Sequence, residues 1–137
     1  MQERVWGNEY RTTMICVDGY ENKVPTGHFY NPALKGAIPF HRMSDLLVKM
    51  ENMLDEFQLP QSFTVTRAFG PQVEIPKEYD PAAGKRGGKL CTFSVRIMFR
   101  QNASWQGSVT WLEGKREESF RSVLELILLM DSALENA

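Results

Sequence analysis

Cysteine is scarce in this sequence, which contains two, Cys16 and Cys91. Both fall in apolar, strand-like runs, with no C-x-x-C spacing and no neighbouring histidine, so zinc sites and thiol–disulfide motifs have little support. Free cysteines are among the most frequently buried residues. We therefore expect two buried, reduced thiols, no bound metal and no cofactor.

An excess of charge of one sign and long apolar runs are also missing. The formal net charge is −1, which argues against a general binder of nucleic acid or of membrane surfaces. No segment approaches the roughly 18 apolar residues of a membrane span, and the N-terminus MQERVWGNEYR has no apolar signal region. The 137 residues, 42% hydrophobic and 24% charged, are typical of one domain over residues 1–137. We expect a cytoplasmic protein without a membrane partner.

An internal repeat is the most informative feature that the sequence does contain. A shift of 80 positions aligns residues 12–57 with residues 92–137 without a gap, and eight pairs are identical, whereas chance would give roughly three. The identical pairs are Thr12 and Thr92, Asn22 and Asn102, Gly27 and Gly107, Lys35 and Lys115, Phe40 and Phe120, Leu46 and Leu126, Met50 and Met130, and Leu54 and Leu134. The alignment predicts a duplicated unit, joined by a connecting strand and mobile loop over residues 58–91.

Each half has the pattern of two strands and a helix. Apolar residues alternate from Phe93 to Phe99, as in a strand with one buried face, and QNASWQG then supplies turn-forming residues. SVTWL predicts the return strand and EGKREES a loop, and Ser122 three residues before Glu125 predicts a capping box. In the first half, Met43 to Phe57 forms one apolar helical stripe.

The predicted fold is α+β, a two-layer sandwich built from a duplicated ββα unit. Neither unit can bury its own sheet face, so one antiparallel sheet with two helices packed on one face is the economical arrangement, related by a pseudo-twofold axis. SFTVTRAF predicts one further strand between the halves, and the proline- and glycine-rich remainder predicts disorder near residues 76–88. The opposite face of the sheet stays free to meet water, a ligand or a partner.

That free face carries the candidate binding residues. If Phe93 and Phe99 face the helices, the alternation of side chains along a strand places a group of polar residues on the opposite face of the sheet. The candidates are Arg96, Arg100, Tyr20, His28 and Tyr30. Arginines suit phosphate, aromatic rings suit stacking on bases, and histidine titrates near neutral pH. A solvated face with cross-strand polar pairs explains the same residues about equally well.

The predicted hairpin QNASWQG adds Trp105, which a turn does not require. The first half has a proline in its place, so Trp105 is interpreted either as packed back on the sheet or as a contact anchor for a partner. Asn102 and Gly107, shared with Asn22 and Gly27, are interpreted as turn formers, the glycines because they adopt positive φ without strain.

Two short strings in the segment from Arg96 to Gly107 resemble a known ligand-binding pattern. R-x-x-x-R followed by N-x-S-x-x-G is similar to the cyclic-di-GMP-binding elements of PilZ domains, in which the two elements are farther apart and lie on a small barrel. The resemblance implies a cyclic dinucleotide as ligand. Arg96 and Arg100 would then bind phosphate or guanine edges in bidentate fashion.

The second predicted helix offers a different surface, because it is apolar beyond one stripe. Leu124, Leu128 and Leu129 widen its apolar face past the residues that the core requires. Apolar surface beyond the core face is expected to be buried against another part of the chain or a partner, and exposed apolar patches commonly mark interfaces. These leucines are therefore candidate interface residues, and a homodimer with an isologous contact is the simplest form.

Three functions remain open from the sequence. The preferred one is a non-enzymatic binding or regulatory module, which engages a protein partner or a second copy through the polar sheet face or the apolar helix. The first alternative is a binder of nucleotides or single-stranded nucleic acid. It would use Arg96, Arg100, Tyr20, Tyr30 and Trp105. The second is a small enzyme with His28 as general base near Asp18; since no nucleophile at a fixed spacing accompanies it, no catalytic residue is assigned.

Overall fold

The order of elements is three strands and a helix, followed by three strands and a helix. The structure, a computed structural model, describes residues 8–58, 60, 69–70, 87–100 and 104–137. A short 3-10 helix, Asn8–Arg11, precedes the first strand. The elements are β1 Thr12–Glu21, β2 Val24–Tyr30, β3 Ile38–Phe40, α1 Met43–Phe57, β4 Cys91–Phe99, β5 Gln106–Trp111, β6 Arg116–Phe120 and α2 Val123–Glu135.

The six strands form one antiparallel sheet in the order β3-β2-β1-β4-β5-β6. β1 and β4 lie side by side at its centre, with Met14 opposite Ser94. α1 packs against β2 and β3, and α2 packs against β4, β5 and β6, and both contribute to a single core. The predicted α+β two-layer fold, with an antiparallel sheet and two helices on one face, is confirmed.

Each half has one strand more than the predicted ββα unit. EGKREES, predicted as a loop, supplies a turn and most of β6, whose residues are all exposed except Phe120. An edge strand with no buried face has no apolar period, so the sequence did not indicate it. Strand pairing follows the offset of 80, since Val17 pairs with Gly27 and Ile97 with Gly107. The ββα unit is not confirmed, and an origin by duplication stays a prediction.

A β-bulge interrupts each central strand, at positions 17–19 of β1 and 97–99 of β4. The extra residue of a bulge reverses the alternation of the side chains that follow it. Tyr20 and Arg100, predicted on the free face, therefore contact the helices, and Phe99, predicted in the core, is 51% exposed. These three residues were predicted on the wrong face, because the strict alternation of side chains between the two faces holds only for an unbroken strand.

The core lies between the sheet and the two helices. α1 spans the predicted Met43–Phe57 and buries Leu46, Met50, Met53 and Leu54, while α2 buries Leu126, Met130, Ala133 and Leu134. The sheet contributes Ile15, Val17, Phe29, Phe93, Val95, Ile97 and Val109. The predicted cap of α2 is confirmed, since the Ser122 hydroxyl accepts from the Glu125 backbone N–H at 3.2 Å.

The hairpin glycines serve strand packing rather than a turn. No glycine of the described residues has positive φ, and Gly27 and Gly107 lie within strands. A Cβ at Gly27 would lie 2.0 Å from the Cys16 carbonyl oxygen, and one at Gly107 would lie 1.9 Å from that of Arg96. Asn22, with φ 52°, does occupy the left-handed conformation expected of it.

Three predictions fall outside the described residues, in whole or in part. The strand expected over residues 62–69 and the disorder expected over residues 76–88 lie almost entirely there, as does the turn role of Asn102.

Candidate functional site

Arg100 is bound by α1 rather than presented to a ligand. Only 2% of the residue is exposed, and its Nη1 lies 2.8 Å from Glu51 Oε1 and 2.7 Å from Asp55 Oδ1. Its Nε donates to the Pro60 carbonyl at 2.6 Å and its Nη2 to the Leu54 carbonyl at 3.4 Å. These contacts use four of the five guanidinium N–H donors.

Trp105 completes the same group, which we call the Arg100 cluster: Arg100, Trp105, Glu51 and Asp55. The indole is 3% exposed, and its Nε1–H donates to Glu51 Oε2. Glu51 thus accepts from Arg100 through one oxygen and from Trp105 through the other. The structure places Trp105 in the packed position rather than at an exposed tip.

A second group, the Tyr20 cluster, consists of Tyr20, Lys23, Asp131 and Glu135. The Tyr20 hydroxyl donates to Asp131 Oδ1 at 2.6 Å, and Lys23 Nζ lies 2.8 Å from Asp131 and 2.9 Å from Glu135. Burial and the Asp131 hydrogen bond raise the pKa of Tyr20 to about 12. The hydrogen bonds from Lys23 and Tyr20 lower the pKa of Asp131. Each cluster joins a strand of one half to the helix of the other.

Arg96 is the predicted arginine that stays on the free sheet face. It pairs with Thr12 of β1 and Ser108 of β5 in the strand register, so hydroxyl groups flank it on both sides. The side chain is partly buried, and its Nε has no hydrogen-bond partner among the described residues. Of the two predicted arginines, it is thus the one left with a buried, unsatisfied donor in this part of the chain.

His28 and Tyr30 lie on the same face, on β2. Their rings stack with centroids 6.4 Å apart and an interplanar angle of 16°. His28 is 3% exposed, whereas Tyr30 is partly exposed and burial raises its pKa. Asp18, considered as a partner for His28, accepts from the Lys89 backbone N–H at 3.0 Å. The structure thus brings together His28, Tyr30 and Arg96 on one face and moves Tyr20, Arg100 and Trp105 to the other.

The outer face of α2 exposes two leucines, which we call the α2 leucine face. Leu124 is 63% exposed and Leu128, one turn later, is 57% exposed. Leu129 is instead partly buried and packs against the core. At the aligned positions, α1 has Ser44 and Val48.

A cavity of about 420 Å³ opens between α2 and the β5–β6 hairpin. Phe93, Val109, Leu129 and Ala133 contribute apolar surface, and Trp111, Arg116, Glu118, Ser132 and Asn136 complete the lining. The Trp111 Nε1–H is buried without an acceptor of hydrogen-bonding geometry. The Cys91 thiol is its polar neighbour: burial raises the pKa of this thiol, and the contact with Trp111 opposes that increase.

Hydrophobic periodicity does not predict this cavity, although the repeat contains a signal for it. At the offset of 80, Ala133 aligns with Met53 and Trp111 aligns with Asn31. A small residue on a helix core face, where the other half has a long one, indicates unfilled space. Periodicity alone treats alanine and methionine as equivalent apolar positions and therefore hides the difference.

Comparison of the chain with protein-family models, with curated proteins and with solved structures finds no match. Within the described ranges, no helix combines the length and apolar character needed to cross a bilayer. In that same part of the chain, no three His, Cys, Asp or Glu side chains are grouped as a metal ion would require. Function is therefore inferred from the geometry of these surfaces.

Proposed function

We propose that this protein is a non-enzymatic binding module that associates with a second copy of itself through the α2 leucine face. The observation that carries the proposal is the exposure of Leu124 and Leu128, 63% and 57%, on adjacent turns of one helix. Burying such side chains against a partner removes apolar surface from water at about 25 cal/mol per Å². The aligned positions of α1, Ser44 and Val48, offer less apolar surface.

The charges along the same stripe favour a second copy as the partner. Leu124, Leu128 and Glu135 lie on one face of α2, and Arg121 precedes the N-cap Ser122, so a positive charge lies before the start of this face and a negative charge at its end. If the twofold axis is perpendicular to α2, the two copies of the helix run antiparallel across the contact, and the arginine end of one meets the glutamate end of the other. Within one copy, Arg121 pairs with Glu125 and Glu135 pairs with Lys23, both at the surface, and exposed pairs exchange partners at little cost.

Native mass spectrometry over a concentration series tests the proposal. The wild-type chain should give a species of twice the chain mass, and the double variant Leu124→Ser with Leu128→Ser should give the monomer. Val48→Ser, a matched change at an exposed apolar position of α1, should leave the dimer intact. A wild-type protein that stays monomeric at the highest soluble concentration would contradict self-association, as would a double variant that still dimerises.

One observation favours a second candidate function, the binding of a nucleotide or single-stranded nucleic acid on the free sheet face. Arg96 has a buried Nε without a hydrogen-bond partner, and aromatic rings lie on the same face at His28 and Tyr30. Guanidinium groups of this kind bind phosphate. The candidate now depends on Arg96 and the partly exposed Tyr30, because His28 is 3% exposed and Tyr20, Arg100 and Trp105 are engaged in the two clusters.

Titration with cyclic-di-GMP and with a short single-stranded oligonucleotide tests this candidate. Binding should be salt-sensitive and lost in Arg96→Ala, because the contact neutralises phosphate charge. Arg42→Ala removes the same charge from the start of α1 and serves as the control. Equal affinities of Arg96→Ala and wild type would exclude the candidate.

The proposal includes a cytoplasmic location. Cys16 and Cys91 are free and buried, and free thiols persist in a reducing compartment.

A further inference from the structure

The cavity between α2 and the β5–β6 hairpin has the size and lining of a small-molecule site. Its volume of about 420 Å³ falls in the usual range for ligand pockets, which are mostly apolar with a few polar groups. Phe93, Val109, Leu129 and Ala133 contribute the apolar part of the lining. None of these residues belongs to the exposed α2 leucine face, so this cavity and the proposed dimer surface are separate.

The indole N–H of Trp111 is the polar group that a ligand would stabilise most. Its buried indole N–H has no acceptor of hydrogen-bonding geometry, and an unsatisfied buried donor carries a desolvation cost. The neighbouring Cys91 sulfur is a weak acceptor, and its own thiol is directed to the Ala133 carbonyl at 4.0 Å. Gly114 packs so closely on the indole that a Cβ there would lie 2.3 Å from the ring. The ring is therefore held in place, and a ligand oxygen would satisfy the donor by reaching this buried N–H from the cavity.

Arg116 contributes a positively charged group to the cavity, beside the negatively charged Glu118. It lines the cavity, its side chain is 73% exposed, and its contact with Glu118 spans 3.9 Å. An ion pair this long and this exposed holds the guanidinium weakly. A carboxylate offers two acceptor oxygens and the charge-assisted geometry that arginine favours. Indole N–H and guanidinium together therefore favour a carboxylate over a neutral group.

The cavity arises from a difference between the two halves of the chain. Ala133 aligns with Met53, and both are buried. In the first half, Asn31 stands where the second half has Trp111, and its side-chain amide donates to the Tyr10 carbonyl at 2.7 Å. The first half thus fills this region with a longer side chain and satisfies its buried amide, whereas the second half does neither.

From these observations we infer that the cavity binds a small aromatic or branched apolar carboxylate, with its apolar body against Phe93, Val109 and Ala133 and its carboxylate toward Trp111 and Arg116. The site is distinct from the α2 leucine face and from the free sheet face. It binds a ligand whether or not the chain dimerises.

Phenylacetate and its neutral isostere phenylacetamide are suitable probes, observed through the indole N–H signals in ¹H–¹⁵N NMR spectra. Trp111→Phe identifies the signal of Trp111. Phenylacetate should shift that signal and leave the Trp105 signal in place, and phenylacetamide should bind at least about tenfold more weakly. Equal binding of the two probes would overturn the carboxylate preference, and no shift with either would overturn the site.

Ala133→Met tests the cavity itself, because methionine is the residue that the other half has at the aligned position. We expect this variant to fold and to lose phenylacetate binding at least about tenfold. Leu128→Ser, on the outer face of the same helix, is the matched control and should bind as wild type does. Retained binding in a folded Ala133→Met protein would contradict the inference. A wild-type protein that binds phenylacetate but does not dimerise would count against the α2 leucine face alone.

Discussion

Arg96 and Arg100 show how strongly a residue's role depends on its surroundings. Both belong to the same R-x-x-x-R string, yet Arg96 keeps a buried Nε without a hydrogen-bond partner while Arg100 is enclosed by α1. The bulge at positions 97–99 lies between them and turns the second arginine to the helix side. The sequence identified both as arginines suited to phosphate, and only Arg96 remains on the face where that function was expected.

The first prediction contrasts these two arginines. Arg100→Ala should lower the free energy of unfolding by about 3 kcal/mol, because it removes a buried guanidinium together with its contacts to Glu51 and Asp55. Arg96→Ala should change it by less than about 1 kcal/mol, because Arg96 forms no ion pair with the residues that the structure describes. Urea denaturation of both variants measures the difference. Equal losses would mean that the Arg100 cluster does not stabilise the fold.

At the scale of elements, the bulges and their facing glycines determine which residues reach the helices. Gly27 and Gly107 lie opposite Val17 and Ile97, next to the bulges. Because these glycines have no Cβ, the neighbouring strand can approach more closely than it could if a side chain were present. The identity of these glycines in both halves reflects a shared backbone geometry rather than a shared turn.

The second prediction concerns this close approach. Gly107→Ala should cost about 2 kcal/mol or more, because its Cβ would lie 1.9 Å from the Arg96 carbonyl oxygen and the strands must separate. Gly70→Ala is the control, since nothing lies within 4 Å of a Cβ there. Thermal unfolding monitored by circular dichroism compares the two. A Gly107→Ala protein as stable as Gly70→Ala would show that the strands accommodate the methyl group.

The third prediction concerns the helices. Leu46 and Leu126 are both 0% exposed, at aligned positions of α1 and α2, and each change to alanine should cost about 2 to 5 kcal/mol of unfolding free energy. Similar costs would show that the two helices contribute comparably to one core. Denaturant unfolding gives both values. A negligible cost at either position would contradict the symmetric packing.

For the whole molecule, the Arg100 and Tyr20 clusters connect the two halves. Arg100, directly after β4, contacts α1, and Tyr20 and Lys23 of the β1–β2 hairpin contact Asp131 of α2. Each half therefore depends on the other for polar contacts as well as for the central β1–β4 pairing. We expect neither half to fold alone as the intact chain does.

The fourth prediction follows from the lowered pKa of Asp131. A carboxyl group whose pKa is lower in the folded state stabilises the fold above its ordinary pKa of 3.8, and that contribution is lost as pH falls through the folded value. The free energy of unfolding should therefore decrease on acidification below this pH. Asp131→Asn should be less stable at neutral pH and show a weaker acid dependence. An unchanged acid dependence in this variant would exclude Asp131 as a contributor.

The repeat, the stripe of α1, the cap of α2 and the fold class followed from local patterns in the sequence. Hydrophobic periodicity and helix capping depend on residues that are close together in the chain, so one sequence is enough to predict them. Strand β6 did not follow, because all its residues but Phe120 are exposed. Of the candidate interface residues, Leu124 and Leu128 are exposed as expected, while Leu129 packs against the core. Their role in an interface stays a prediction.

The sequence by itself determined which segments form the core and that one sheet carries both helices, because apolar periodicity is a local property and burial follows from it. The tertiary structure decided which polar residues meet. A bulge shifts every later side chain to the other face, and an ion pair such as Arg100 with Glu51 joins residues far apart in the chain. The cavity beside Trp111 also exists only in three dimensions, because unfilled space depends on the volumes of side chains from several elements at once.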